Sequence, residues 1–200
     1  MNKPVELLVT WDAFNQRFPN ASLEDFYRHS LAKRAKNDKK SEEKGILLKI
    51  MGRIMSAFAL YHRAAMENIK MPSAESFFFL NGIAHVGEVR KTQLINHLFF
   101  EYTTGMEAIK KLIDTGMVKE KPDPSDRRAT LLALTPKGEK LLTAGYQQSS
   151  KVSEILLNDL DPDDVGLVLH ILRDIEEKHS RLAIEFKNKN FEEIYQRLAR

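Results

Sequence analysis

Cysteine is absent from the 200 residues. Its absence excludes a disulfide framework, thiol-based redox sensing and any zinc site built on cysteine. No apolar run approaches membrane length, and Met1–Trp11 carries Glu6 with Asp12 following, so the start does not read as a signal peptide. No membrane partner is therefore expected, and the cytoplasm is the expected compartment. Glycine-rich phosphate loops, GxSxG elbows and cysteine nucleophiles are missing as well. The histidines at 29, 62, 85, 97, 170 and 179 include no HExxH-type pair, so neither a metal nor a cofactor is expected. Two carboxylate pairs, Asp123/Asp126 and Asp163/Asp164, fit a turn and a helix N-terminus better than acid–base chemistry. An enzyme is not expected.

What is present describes a folded chain: 42% apolar and 30% charged residues. The net charge is +3, and it is localised. Residues 90–140 hold ten Lys/Arg and seven Asp/Glu, leaving 21 of each sign elsewhere. All the surplus positive charge thus falls on one segment, as a nucleic-acid contact would require.

That segment has a readable order. Ala108, Ile109, Leu112 and Ile113 recur at helical spacing, and Gly116 offers a left-handed stop. Two short apolar stretches, 117–121 and 130–135, flank Pro122-Asp123-Pro124-Ser125-Asp126-Arg127-Arg128, which reads as a hairpin with a charged tip. Thr135-Pro136 opens a new helix as cap and first position. Helix, hairpin and helix in this order describe a winged helix-turn-helix.

The flanks are helical. Leu7, Leu8, Trp11, Phe14 and Phe18 stripe residues 3–18, and Ser22 with Asp25 reads as the capping start of a second helix. Residues 32–45 are polar on all sides, a loop or a frayed helix end. A long helix is expected over 44–69, stopped by Pro72, and Ser73 caps the next over 74–84. A short strand within 86–90, a helix over 91–98 and a turn over 99–102 lead to the helix that begins near Thr103. Further helices span 137–160, where Gly145 could mark a bend, and 161 onward, with a last part over 182–198. The amphipathic segments 3–31, 44–69 and 137–198 present more apolar face than the module between them can cover. A second copy of the chain is the economical cover.

The motifs LIDTGMV at 112–118, DPSDRRA at 123–129 and LTPKGEKLL at 134–142 resemble, in register, the MarR family of bacterial transcription regulators. The resemblance covers about residues 45 to 198 and is strongest over 90–142. It implies a mainly α fold with a small β-hairpin wing, α+β in class, with N- and C-terminal dimerisation helices. The implied division is 1–43, an N-terminal helical extension associated with the dimer; 44–72, a dimerisation helix; 73–142, the winged helix-turn-helix; and 143–200, C-terminal dimerisation helices. It also implies a homodimeric, sequence-specific regulator on a pseudo-palindromic double-stranded operator, a repressor by expectation. Some relatives sense oxidants through cysteine, a route closed here.

The DNA-binding residues implied are Thr103 and Thr104 on bases or phosphates, Lys110 and Lys111 on the backbone, and Arg127 on phosphate. Arg128 would enter the minor groove, positioned by Asp126. Glu107 departs from the family pattern; it either accepts from a cytosine amine or repels phosphate. Gly105 departs too, and the pair motivates an alternative, a winged-helix protein-interaction module that does not bind DNA. Many relatives bind small aromatic anions, for which Met51, Met55, Phe58, Tyr61, His62, Phe77 and Phe78 would line the pocket, or else form ordinary core.

Overall fold

The computed structural model describes residues 3–35, 40–187 and 189–199, apart from the side chains of 32–41 and of Arg127. The chain forms two compact units, residues 1–52 and 53–200.

In the first unit, α1 (Lys3–Arg17) and α2 (Leu23–Ala35) meet through their aromatic stripes. Trp11 meets Phe26 edge-on at 5.0 Å, and Phe14 lies 5.5 Å from Phe26 and 5.1 Å from His29. Among the described residues of this unit only Phe14 and Phe26 are buried, whereas Val5, Leu7, Leu8, Val9, Tyr27 and Leu31 remain exposed. Ser22 and Asp25 form the expected reciprocal cap: the Ser22 amide donates to the Asp25 carboxylate at 2.8 Å, and the Asp25 amide to Ser22 Oγ at 3.1 Å. Residues 36–39, part of the expected polar loop, lie outside the described residues, and α3 (Lys40–Asn68) begins earlier than 44.

The second unit holds the main core. The stop after α3 is made by Lys70 rather than Pro72. Lys70 takes a left-handed φ of 56°, which lets the Met71 amide reach the Met66 carbonyl at 3.0 Å. Ser73 then accepts from the Ser76 amide and starts α4 (Ala74–Val86). The short strand β1 (Val89–Arg90) leads into α5 (Lys91–His97), and α6 (Tyr102–Asp114) follows after a four-residue turn. Within that turn Phe99 adopts φ 57°, and the Phe100 amide bonds the Ile95 carbonyl at 3.2 Å. A non-glycine there carries strain of about 1–2 kcal/mol; Phe100, packed 5.1 Å from Phe79, anchors the turn.

Strands β2 (Val118–Asp123) and β3 (Asp126–Leu134) form the wing, and β1 adds to β3, giving the antiparallel order β1-β3-β2. Thr135 then caps α7 (Pro136–Leu157), Asp161 caps α8 (Pro162–Phe186) and Asn190 caps α9 (Phe191–Leu198). Phe79, Leu80, Leu94, Ile95, Ile109, Leu112 and Leu132 are fully enclosed where α4, α5, α6 and the sheet meet. Each such side chain contributes roughly 1.5–3 kcal/mol by leaving water. Gly145 marks close packing rather than a bend: a Cβ there would lie 2.7 Å from the Phe77 ring, so α7 can lie against α4 only at glycine. By contrast, α8 leaves Val168, Leu169, Ile171 and Ile175 exposed, and α3 leaves Ile54, Met55 and Leu60 exposed.

Candidate nucleic-acid interface

Burial along α6 alternates as an amphipathic helix requires. Gly105, Ala108, Ile109 and Leu112 face inward, while Tyr102, Thr103, Thr104, Glu107, Lys110 and Lys111 face solvent. The inward stripe therefore starts one turn earlier than the sequence suggests, at Gly105. A Cβ on Gly105 would sit 2.6 Å from Ile95 Cγ1, so glycine lets α5 and α6 cross closely. This packing role removes Gly105 as an argument against nucleic-acid binding. Glu101 precedes the helix in extended conformation with no side-chain cap bond. The first amides of α6 thus point outward without intrahelical partners, the usual state of a helix start. A cleft beside α6 is lined by Lys91, Tyr102, Thr103, Met106, Lys110 and Glu120.

The wing is tighter than a seven-residue tip. Its strands run to Asp123 and from Asp126, so the turn itself is Pro124-Ser125. The β2–β3 register jumps from Pro122↔Thr130 to Asp123↔Asp126, so residues 127–129 have no partner on β2. Such a bulge re-aims side chains out of the ladder, and both wing arginines sit on it. Arg128 is exposed; the Arg127 side chain lies outside the described residues. Asp126, expected to position Arg128, meets it at the backbone: its Oδ1 accepts the Arg128 amide at 3.0 Å.

Asp123 closes the turn. Its Oδ1 accepts the Ser125 amide at 2.8 Å and the Ser125 hydroxyl at 2.6 Å, and its Oδ2 accepts Arg90 Nε at 2.7 Å. These bonds, those of Ser125 first and then that of Arg90, hold the carboxyl down at about 2. Two further pairs tie the wing to the region around β1. Lys91 Nζ lies 2.7 Å from Glu120, which also accepts from Thr130, and these bonds lower the Glu120 pKa. Lys121 pairs with Glu88. The sequence motifs do not single out Arg90 and Lys91. Their charges are visible there, but no local spacing reveals partners some thirty positions away.

Of the residues expected around a ligand, Phe58, His62, Phe77 and Phe78 pack together, whereas Tyr61 is exposed. His62 lies 5.2 Å from Phe58, 5.2 Å from Phe77 and 4.9 Å from Phe78. It is buried, its Nε2 has no hydrogen-bond partner, and burial lowers its pKa against the opposing pull of Glu75. Met55 is exposed, and so is Met51, which belongs to the first unit. Among the described residues no group of three or more His, Asp or Glu is placed to hold a metal ion, and no helix is long and apolar enough to cross a membrane.

A helix presenting a polar, cationic face, followed by a two-stranded wing with an outward arginine, defines a class. Residues 63–138 match the family described as "Winged helix DNA-binding domain". The fold around it is that of the MarR transcriptional regulators. A MarR transcriptional regulator from Methanosarcina mazei Go1 superimposes with a TM-score of 0.63 at 24% identity, over 69% of this chain and 99% of that one. A structure of Bordetella bronchiseptica BpsR, described by a mechanism for regulation of its DNA binding by 6-hydroxynicotinic acid, gives a TM-score of 0.58 at 21% identity, over 70% of this chain and 97% of that one. Among curated sequences, the transcriptional regulator HosA of Escherichia coli O111:H- is 27% identical over 94 residues, 47% of this chain and 70% of that protein.

Proposed function

We propose that the protein is a homodimeric, sequence-specific regulator of transcription that binds double-stranded DNA, a repressor released by a small aromatic anion. The observation that carries the reading is the sorting of α6 and the wing. Every residue expected on the DNA whose side chain is described is exposed or half-exposed, while Ala108, Ile109 and Leu112 on the opposite face of α6 are buried. In this reading α6 enters the major groove with its N-terminal turn on the base edges, where Thr103 and Thr104 donate and accept. Lys110 and Lys111 lie along phosphates, and Arg128 reaches the negative potential of a narrowed minor groove. Arg127 adds a phosphate contact. Glu107, exposed in the same row, reads a cytosine amine.

Dimerisation is supported by the apolar side chains that α3 and α8 leave in water, a patchwork that monomers seldom tolerate. The intended cover is a second copy, with helices 44–72 and 143–200 and the 1–43 extension forming the shared body. Two α6 helices and two wings about one two-fold axis then require a pseudo-palindromic site. An aromatic effector is supported by the ring cluster around His62, whose free Nε2 suits a carboxylate, and by the ligand named for the Bordetella protein.

The test is selection of bound sequences from a random duplex pool, followed by anisotropy titration at physiological salt and sedimentation equilibrium. Enrichment of an inverted repeat, bound by a dimer, is expected. A monomer, or binding no tighter to the enriched site than to scrambled duplex, overturns the reading and leaves the alternative of a protein-interaction module. A salicylate-like compound should raise the melting temperature and lower affinity for the enriched duplex.

A further inference from the structure

We infer that Arg90 is a positioning residue for the wing: from β1 it grips both sides of the wing turn and so determines where Arg128 stands. The inference rests on the DNA-binding reading above, and it concerns a residue to which neither the motifs nor the fold likeness assigns a role.

Arg90 begins from a fixed base. Its backbone pairs with Leu131 of β3, and its amide donates to the Gln93 side chain at the start of α5. The guanidinium then crosses to the wing. Nε lies 2.7 Å and Nη2 2.6 Å from Asp123 Oδ2. Nη2 is also 3.5 Å from the Ser125 hydroxyl and 3.7 Å from Asp126 Oδ2. One side chain thereby reaches the residue before the turn, a residue within it and the residue after it. Asp126 passes the constraint on, since its other oxygen holds the Arg128 amide at 3.0 Å.

The chemistry suits arginine specifically. A planar fork presents two donors to one carboxylate and still faces a second, which an ammonium point charge does less well. Asp123 is almost wholly enclosed, at 6% exposure, so the pair is better shielded from salt than an ordinary surface bridge. Charge balance adds a second reason. Asp123 and Asp126 flank the turn, and without Arg90 facing both carboxylates their mutual repulsion would splay it and displace Arg128. The bulge at residues 127–129 lacks ladder bonds to β2. The turn and Asp126 must therefore hold this stretch, and Arg90 holds both.

The experiment compares the full-length protein with Arg90→Ala, Arg90→Lys, Arg128→Ala and the Arg90→Ala/Arg128→Ala double variant. Affinity for the wild-type-selected duplex is read by anisotropy, and hydrogen exchange of amides 123–130 is read without DNA. Arg90→Ala should weaken binding by about tenfold, the low end of what loss of an arginine contact does, and should speed exchange at 123–130 while helices α4 to α6 stay protected. Arg90→Lys should fall between. In the Arg128→Ala background, Arg90→Ala should change affinity less than twofold, because Arg90 acts through Arg128. Full additivity would make Arg90 an independent DNA contact and overturn the inference, as would unchanged exchange at 123–130. If the wild type binds no duplex, the regulator reading fails on its own, and the exchange measurement still decides whether Arg90 holds the wing.

Discussion

Replacement of Arg128 by alanine gives the sharpest check on the wing. Arg128 is exposed on an unpaired bulge, and its amide is pinned by Asp126, so truncation removes a cation without disturbing the core. In the proposed dimer the change removes two cations from the DNA-facing surface. Each cation that displaces a condensed counterion contributes about 0.9 to the slope of log affinity against log salt, so the slope should flatten by about 1.8. Over a rise from 50 to 200 mM NaCl, the gap between wild type and variant should therefore shrink by about twelvefold. Anisotropy titrations across that range measure both lines. If they run parallel, with or without an offset, Arg128 does not act as a charge on the duplex and the minor-groove assignment is wrong.

Other expectations follow from the packing. Gly105→Ala places a Cβ 2.6 Å from Ile95 Cγ1 in a filled core and should cost about 1–3 kcal/mol, seen as a lowered denaturant midpoint; an unchanged midpoint would mean the α5–α6 crossing can relax. Thr135→Ala removes a hydroxyl that accepts the Gly138 amide and donates to the Gly116 carbonyl at 2.7 Å. It should cost about 1–2 kcal/mol, and the loss should appear as faster exchange at the start of α7. Burial lowers the His62 pKa, so the folded state holds this ring neutral while the unfolded chain takes up a proton near 6.5. Its contribution is complete above that pH and declines as pH falls below it, by at most about 1.4 kcal/mol per pH unit. Urea midpoints at pH 7.5 and 5.5 should diverge less in His62→Phe than in the wild type; equal divergence would refute the buried neutral histidine. Asp123 is held at about 2, below its ordinary 3.8, so the turn it closes should be intact above pH 4 and loosen between 4 and 2. Exchange at 123–130 over that range reports it, and Asp123→Asn should abolish the dependence.

Much of the architecture was legible because its causes are local. Ser22, Ser73, Thr135 and Asp161 each cap the helix they announce, since a side-chain oxygen three or fewer positions from an unpaired amide needs only the adjoining backbone. Gly116 stops α6 at φ 69° for an equally local reason. The outward face of α6 could be read from its period, and the positive surplus over 90–140 from counting.

Position in space decided the rest. Lys70 and Phe99 take left-handed conformations that their residue types disfavour, held there by the helix ends and ring packing around them. Gly105 and Gly145, ambiguous in sequence as a deviation and a bend, prove to be places where one helix touches another's side chains. Arg90 became visible as more than a charge only when β1, lying beside β3, brought it to the wing turn 33 residues further along the chain. The sequence by itself determined which backbone groups would be capped and which helix faces would be apolar, because those depend on neighbours within a turn or two. Which side chains would meet across the sheet and between helices was left to the tertiary structure, because such meetings depend on how separate elements pack, and periodicity carries no record of that.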